Sequence, residues 1–108
     1  MDNNGVDCKG DKSAYLSKIY CVYDSKAEHF GSQPFFCPNR AAAIRGFEQA
    51  CNDPQQDFCK WPADFTLFEI GTWDTRTGEI KMFETKISLG LAVEFKKSDS
   101  NPKLEVVR

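Results

Sequence analysis

Five cysteines (Cys8, Cys21, Cys37, Cys51 and Cys59) and one histidine, His29, are the side chains in this 108-residue chain best suited to hold a metal or attack an electrophile. Their spacing argues against both roles. Neighbouring cysteines are separated by seven or more residues, never by the two of a zinc knuckle, and one histidine cannot complete a metal site alone. No metal or other cofactor is expected, and Cys21 and Cys51 read as small core residues. An activated thiol or hydroxyl needs a neighbouring base, and His29 falls in "AEHFGSQP", a stretch punctuated like a surface loop. Asp53, Asp57 and Asp64 are spread over a polar loop, and "DTRTGE" offers too few ligands for a calcium loop. "GTWDTRTG" has two glycines but lacks the Lys-Ser/Thr pair of a phosphate-binding loop. No catalytic residue emerges, so an enzyme is not expected.

Flat rings beside cations are the remaining chemistry. Aromatic side chains on an open sheet stack unpaired bases at about 1–3 kcal/mol each, without sequence preference. Tyr20, Trp73 and Phe83 are the candidate platforms, with Lys18 and Lys81 beside them for phosphate. Arg40 and Arg45 on a helix, and Lys96 and Lys97 in the tail, are the further nucleic-acid-binding candidates. Glu69 falls on the same sheet face by alternation, where its charge would repel phosphate. From the residues alone, packing of these rings in a core or against a second copy of the chain is the favoured alternative to stacking. A net charge of -2 carries no basic stripe, and the segment after residue 85 is the one net-basic portion, so any contact with a polyanion depends on a local patch and on stacking.

These residues need elements to position them. With 41% hydrophobic and 13% aromatic residues, the chain can build one core but not two. "LSKIYCVYDSKA" alternates with the period of a strand. "NRAAAIRGFEQACNDP" is a helix capped by Asn39 and stopped before Pro54, with Ala43, Ile44, Phe47, Ala50 and Cys51 as its apolar stripe and Gly46 marking close approach to a sheet. "FTLFEIGTWD" and "EIKMFE" form a hairpin around "DTRTG", and "SLGLAVEF" is read as a last strand. Phe35 and Phe36 are expected to fold back on the core from a loop. The order β-α-β-β(-β) predicts a single α+β domain: a three- to four-stranded, mainly antiparallel sheet with one helix on one face. The face expected to meet the helix holds Ile19, Cys21, Tyr23, Phe68, Ile70, Ile80 and Met82, which carry no charge in mid-strand. Tyr20, Val22, Leu67, Glu69, Trp73 and Phe83 would then be left open.

Residues 1–16 read as a flexible N-terminal arm, 17–95 as the α+β domain and 96–108 as a flexible, weakly basic tail. The odd cysteine count and the absence of a signal core or a membrane-length apolar run point to free thiols in a cytoplasm, with no membrane partner.

The segments "VYDSKA", "PFF" followed by "NRAAAIRGF", "NDP", "DFTLFEIGTWD", "TG" and "SLG" occur in this order over residues 18–91. In combination they resemble the small nonstructural protein of gokushoviruses, single-stranded DNA phages of the Microviridae. The resemblance implies a phage protein accessory to single-stranded DNA synthesis in the cytoplasm of a bacterial host. The implied partners are single-stranded DNA, a second copy, or phage or host replication proteins, and no catalytic motif comes with them. Cys37 and Cys59 depart from the family's usual residues, and the 16-residue start is longer than usual. The expected function is therefore non-catalytic support of genome replication through single-stranded DNA binding. The alternative is a homo-oligomeric adaptor for replication or packaging that never touches DNA.

Overall fold

A computed structural model of the chain describes residues 15–31 and 33–97. Most of the expected arm and tail lies outside the described residues, leaving Tyr15, Leu16, Lys96 and Lys97 of those segments. The first strand, β1 (Leu16–Asp24), is paired along both edges and buried from Ile19 to Val22, Tyr20 and Val22 against the helices and Ile19 and Cys21 among neighbouring side chains of the other face. After a turn held by the Asp24 carboxylate, which accepts from the amides of Lys26 (3.0 Å) and Ala27 (3.2 Å), the chain returns along β1. It does so as two short pieces, β2 (His29–Phe30) and β3 (Phe35–Cys37). Tyr23 pairs with Phe30, Ile19 with Phe36 and Tyr20 with Phe35, all antiparallel. Phe35 and Phe36 therefore belong to a strand, one ring turned to each face, where a loop was expected.

Helix α1 (Arg40–Cys51) then crosses the sheet, and the Asn39 side chain accepts the Ala42 amide at 2.9 Å as its cap. Ala43, Phe47 and Cys51 of the expected stripe are buried. A one-turn helix, α2 (Asp57–Lys60), and a 3₁₀ turn (Pro62–Asp64) lead into β4 (Phe65–Asp74), which pairs antiparallel with the other side of β1. The hairpin to β5 (Ile80–Leu91) turns on Asp74, whose carboxylate accepts from the Arg76 and Thr77 amides at 2.9 and 3.3 Å. Gly78 exits that turn at φ +82°, a conformation side-chain-bearing residues rarely adopt. The last segment is not a separate strand. "SLGL" prolongs β5, and Ala92–Phe95 is a short helix, α3, whose first turn is closed by the Glu94 carboxylate accepting the Leu91 amide.

The result is an α+β domain with a five-stranded antiparallel sheet in the order β2/β3, β1, β4, β5, larger than expected because one edge is split in two. The three α-helices of the described residues lie on one face. There Tyr20, Val22, Phe65 and Leu67 of the sheet meet Ala43, Phe47 and Cys51 of α1 and Ala92 of α3. Phe58, Phe65, Phe47 and Phe95 join in a chain of ring contacts with centroids 4.9 to 5.7 Å apart. Asn52 fastens α3 to the end of α1, donating to the Phe95 carbonyl at 3.1 Å and accepting the Lys97 amide at 2.7 Å.

The expected assignment of the two faces is reversed. Alternation separated the strand sets correctly as far as Glu69, but the helices cover the set containing Tyr20, Val22, Leu67 and Glu69, and Trp73, expected with that set, lies on the other face. Charge was the misleading criterion: Glu69 is only 2% exposed yet neutralised, by the Arg40 guanidinium at 3.0 Å and the Lys18 ammonium at 3.7 Å. Gly46 does not mark helix-to-sheet contact either, since a Cβ there would meet nothing within 4 Å. It borders an apolar groove of about 340 Å³ between α1 and β3.

Candidate functional site

The uncovered face begins with Ile19 and Cys21 on β1, and alternation from them continues to Tyr23. Across the ladder, Cys21 stands opposite Phe68 and Ile19 opposite Gly71, which leaves Ile70 without a partner on β1. This is a β-bulge, an extra residue that interrupts alternation. Before it, Phe65, Leu67 and Glu69 face the helices; after it, Gly71 and Trp73 face the open side. Without the bulge, odd numbering would have kept Trp73 with Leu67 among the helices. Ile70 itself packs with Ile19 and Cys21, and these three form a buried floor flanked by Phe68 and Trp73.

Rings cluster at both ends of that floor. Phe36 and Trp73 meet at 5.3 Å between centroids, nearly perpendicular. Toward the other end Tyr23, Phe30 and Phe68 form a triangle with sides of 5.1, 5.9 and 6.5 Å, all edge-to-face. Phe36 (45%) and Phe30 (38%) are the exposed members, and Met82 (57%) and Ile80 (53%), opposite Gly71 and Trp73, extend the apolar area. Large exposed apolar patches on a soluble domain mark a surface that meets something. Two cations sit over rings: the Lys86 ammonium 5.9 Å from the Phe30 centroid, and the Arg76 guanidinium 4.9 Å from that of Tyr15, the residue just before β1.

The residues nominated from sequence are dispersed. Trp73 is on the open face, half-buried. Tyr20 is 0% exposed, stacked on Phe35 at 5.8 Å in the core, so it cannot receive a base. Burial, with the nearby Glu69 and Cys37 adding to it, pushes the Tyr20 phenol up to about 12, and its hydroxyl has no hydrogen-bond partner among the described residues. Lys18 and Arg40 are committed to Glu69 on the helix side. Lys81 lies opposite Thr72, and Phe83, half-buried, follows Met82 and so turns from the open side. Arg45 and Lys97 border a shallow depression with Glu48 and Asn52 at the helix layer, and Lys96 donates to the Cys59 carbonyl at 3.0 Å. One nominee of nine therefore belongs to the open face. Phe30, Phe36, Tyr23 and Phe68 were missed, although "HF" and "PFF" beside a strand were visible; their pairing to β1 was not.

Other chemistry is sparse. Among the described residues no three His, Cys, Asp or Glu side chains gather as a metal would need, and no helix is long and apolar enough to cross a membrane. Burial raises the Cys51 thiol to about 11, with Cys59 and Glu48 adding to the effect, which makes it a poor nucleophile.

In comparisons with known proteins, the family model described as Phage ORF5 protein matches residues 17–95. No curated protein and no solved structure matches the chain.

Proposed function

We propose that this chain, which belongs to the phage ORF5 protein family, supports replication of a single-stranded DNA phage genome by binding single-stranded DNA without catalysis. The phage would be of the gokushovirus type, and the protein would work in the cytoplasm of the bacterial host. The observation that carries this reading is the uncovered sheet face, paved with two ring clusters around Ile19, Cys21 and Ile70. Exposed rings on a sheet offer stacking to unpaired bases, whereas a paired duplex hides its base faces.

A second reading draws on Met82 and Ile80, whose exposed apolar side chains on the same face suit a protein partner better than phosphate. In that case the face joins copies of the chain into an adaptor for replication or packaging proteins.

Replacing Trp61 with phenylalanine leaves Trp73 as the sole indole and makes its fluorescence a direct reporter. Titration with an oligodeoxythymidylate at low salt should quench that emission, and anisotropy of the labelled oligonucleotide should show weaker binding to Trp73→Ala. Absence of binding at protein concentrations of tens of micromolar would remove the DNA reading. A dimer by light scattering that dissociates on Phe36→Ala would favour the adaptor.

A further inference from the structure

We infer that Arg76 and Lys86, which the sequence reading did not single out, are the phosphate contacts at the two ends of a stacking track. The inference rests on the single-stranded DNA reading of the open face and adds to it where the backbone of the strand is held.

The argument is one of spacing and charge. Phe36 lies across from Ile19 and Phe30 across from Tyr23, four residues along β1, so the two ring clusters stand about 13 Å apart at roughly 3.3 Å per residue. Tyr15 lies four residues before Ile19, a similar distance outward. Rings thus recur along β1 at near-equal intervals, and the outermost ring at each end has a cation above it: Arg76 on Tyr15, Lys86 on Phe30. Between them the floor is apolar. A polymer with flat faces at short intervals and an anion on every unit fits that pattern, with bases on the rings and phosphates at the cations. Among the described residues, neither cation is committed elsewhere by a short ion pair. Arg76 is half-exposed and has a 3.7 Å approach to Asp74, the kind of surface pair that contributes little. Lys86 has Glu84 two residues away on its strand, a neighbour that lowers but does not cancel its pull on phosphate. By contrast, Lys18 and Arg40 are spent on buried Glu69 on the opposite side of the sheet.

The test is the salt dependence of binding to a fluorescein-labelled oligodeoxythymidylate of about twelve nucleotides, within the site sizes known for single-strand binders. Each phosphate contact contributes about 0.7 to the slope of log affinity against log salt for single strands, so Arg76→Gln/Lys86→Gln should flatten the slope by about 1.4. Arg76→Lys/Lys86→Arg should keep the wild-type slope. Arg45→Gln/Lys97→Gln, on the helix layer, should also leave it unchanged. Circular dichroism confirms that each variant is folded. If the wild type binds in a Trp73-dependent manner but the Gln pair keeps the full slope, the assignment of these two cations is overturned while the DNA reading stands. If the wild type binds no oligonucleotide at any salt, the reading itself fails and takes this assignment with it.

Discussion

Tyr20 carries a hydroxyl into the core and leaves it without a partner among the described residues, so its removal should not weaken the fold. A buried polar group that makes no hydrogen bond costs about 1–3 kcal/mol, whereas the ring it is attached to packs on Phe35. Tyr20→Phe is therefore expected to raise the urea midpoint, by the equivalent of about 1 kcal/mol, and a drop in midpoint would mean that the hydroxyl is satisfied in solution. Asp74 offers a pH test. Amide donation from Arg76, then from Thr77, holds its carboxyl below the usual 3.8, although desolvation opposes them. A group whose folded pKa is depressed stabilises the fold above its unfolded value, and the contribution is lost as pH falls through the folded one. Asp74→Asn keeps the accepting oxygen but cannot titrate, so its stability should fall less steeply than the wild type's below about pH 4. Parallel acid limbs in denaturant titrations at successive pH values would contradict this. Local roles of this sort were legible in the sequence: Asn39 as cap, Asp74 at a turn and Gly78 at its exit each depend on neighbours within a few residues. The Glu69–Arg40 pair was not, because its partners are 29 positions apart and meet only after folding.

Two glycines separate what elements need from what they tolerate. Gly46 is exposed in mid-helix with open space around it, so Gly46→Ala should stabilise by about 1 kcal/mol, the usual difference between these residues in a helix. Gly71 sits beside the bulge, where a Cβ would lie 2.5 Å from the Lys81 carbonyl oxygen and 3.2 Å from the Met82 backbone. Gly71→Ala must part β4 from β5 and should cost about 1–3 kcal/mol, as overpacking does. Thermal melts of the pair should move in opposite directions, and equal shifts would discredit the strand contact at Gly71. Periodicity found β1, α1 and the hairpin, and alternation sorted the strand side chains into two sets that hold as far as Glu69. It could not say which set the helices cover, since both contain enough apolar residues to form an interior. The bulge was hidden for a related reason: "FEIGTW" reads as an unbroken strand with or without an extra residue at Ile70, and the ladder to β1 alone decides.

For the molecule as a whole, the sequence conveyed the α+β class and the idea of a sheet left bare on one side. The residues on that side were misassigned apart from Trp73, because one reversed choice of face moves every member of a set at once and the bulge at Ile70 returned Trp73 alone. Its borders hold a separate lesson. On one, the outer strand is broken between β2 and β3; on the other, β5 sets residues 83–86 against Ile70 alone, so the ladder is thrown out of step. Neither margin offers a long straight run of amides and carbonyls on which a stranger's backbone could be templated. Crowded solutions of this protein should accordingly cluster broad side to broad side and redissolve on dilution, without growing ribbons. Thioflavin T should stay dark through prolonged incubation, and a seeded, accelerating rise in its signal would show that one of these margins can recruit after all.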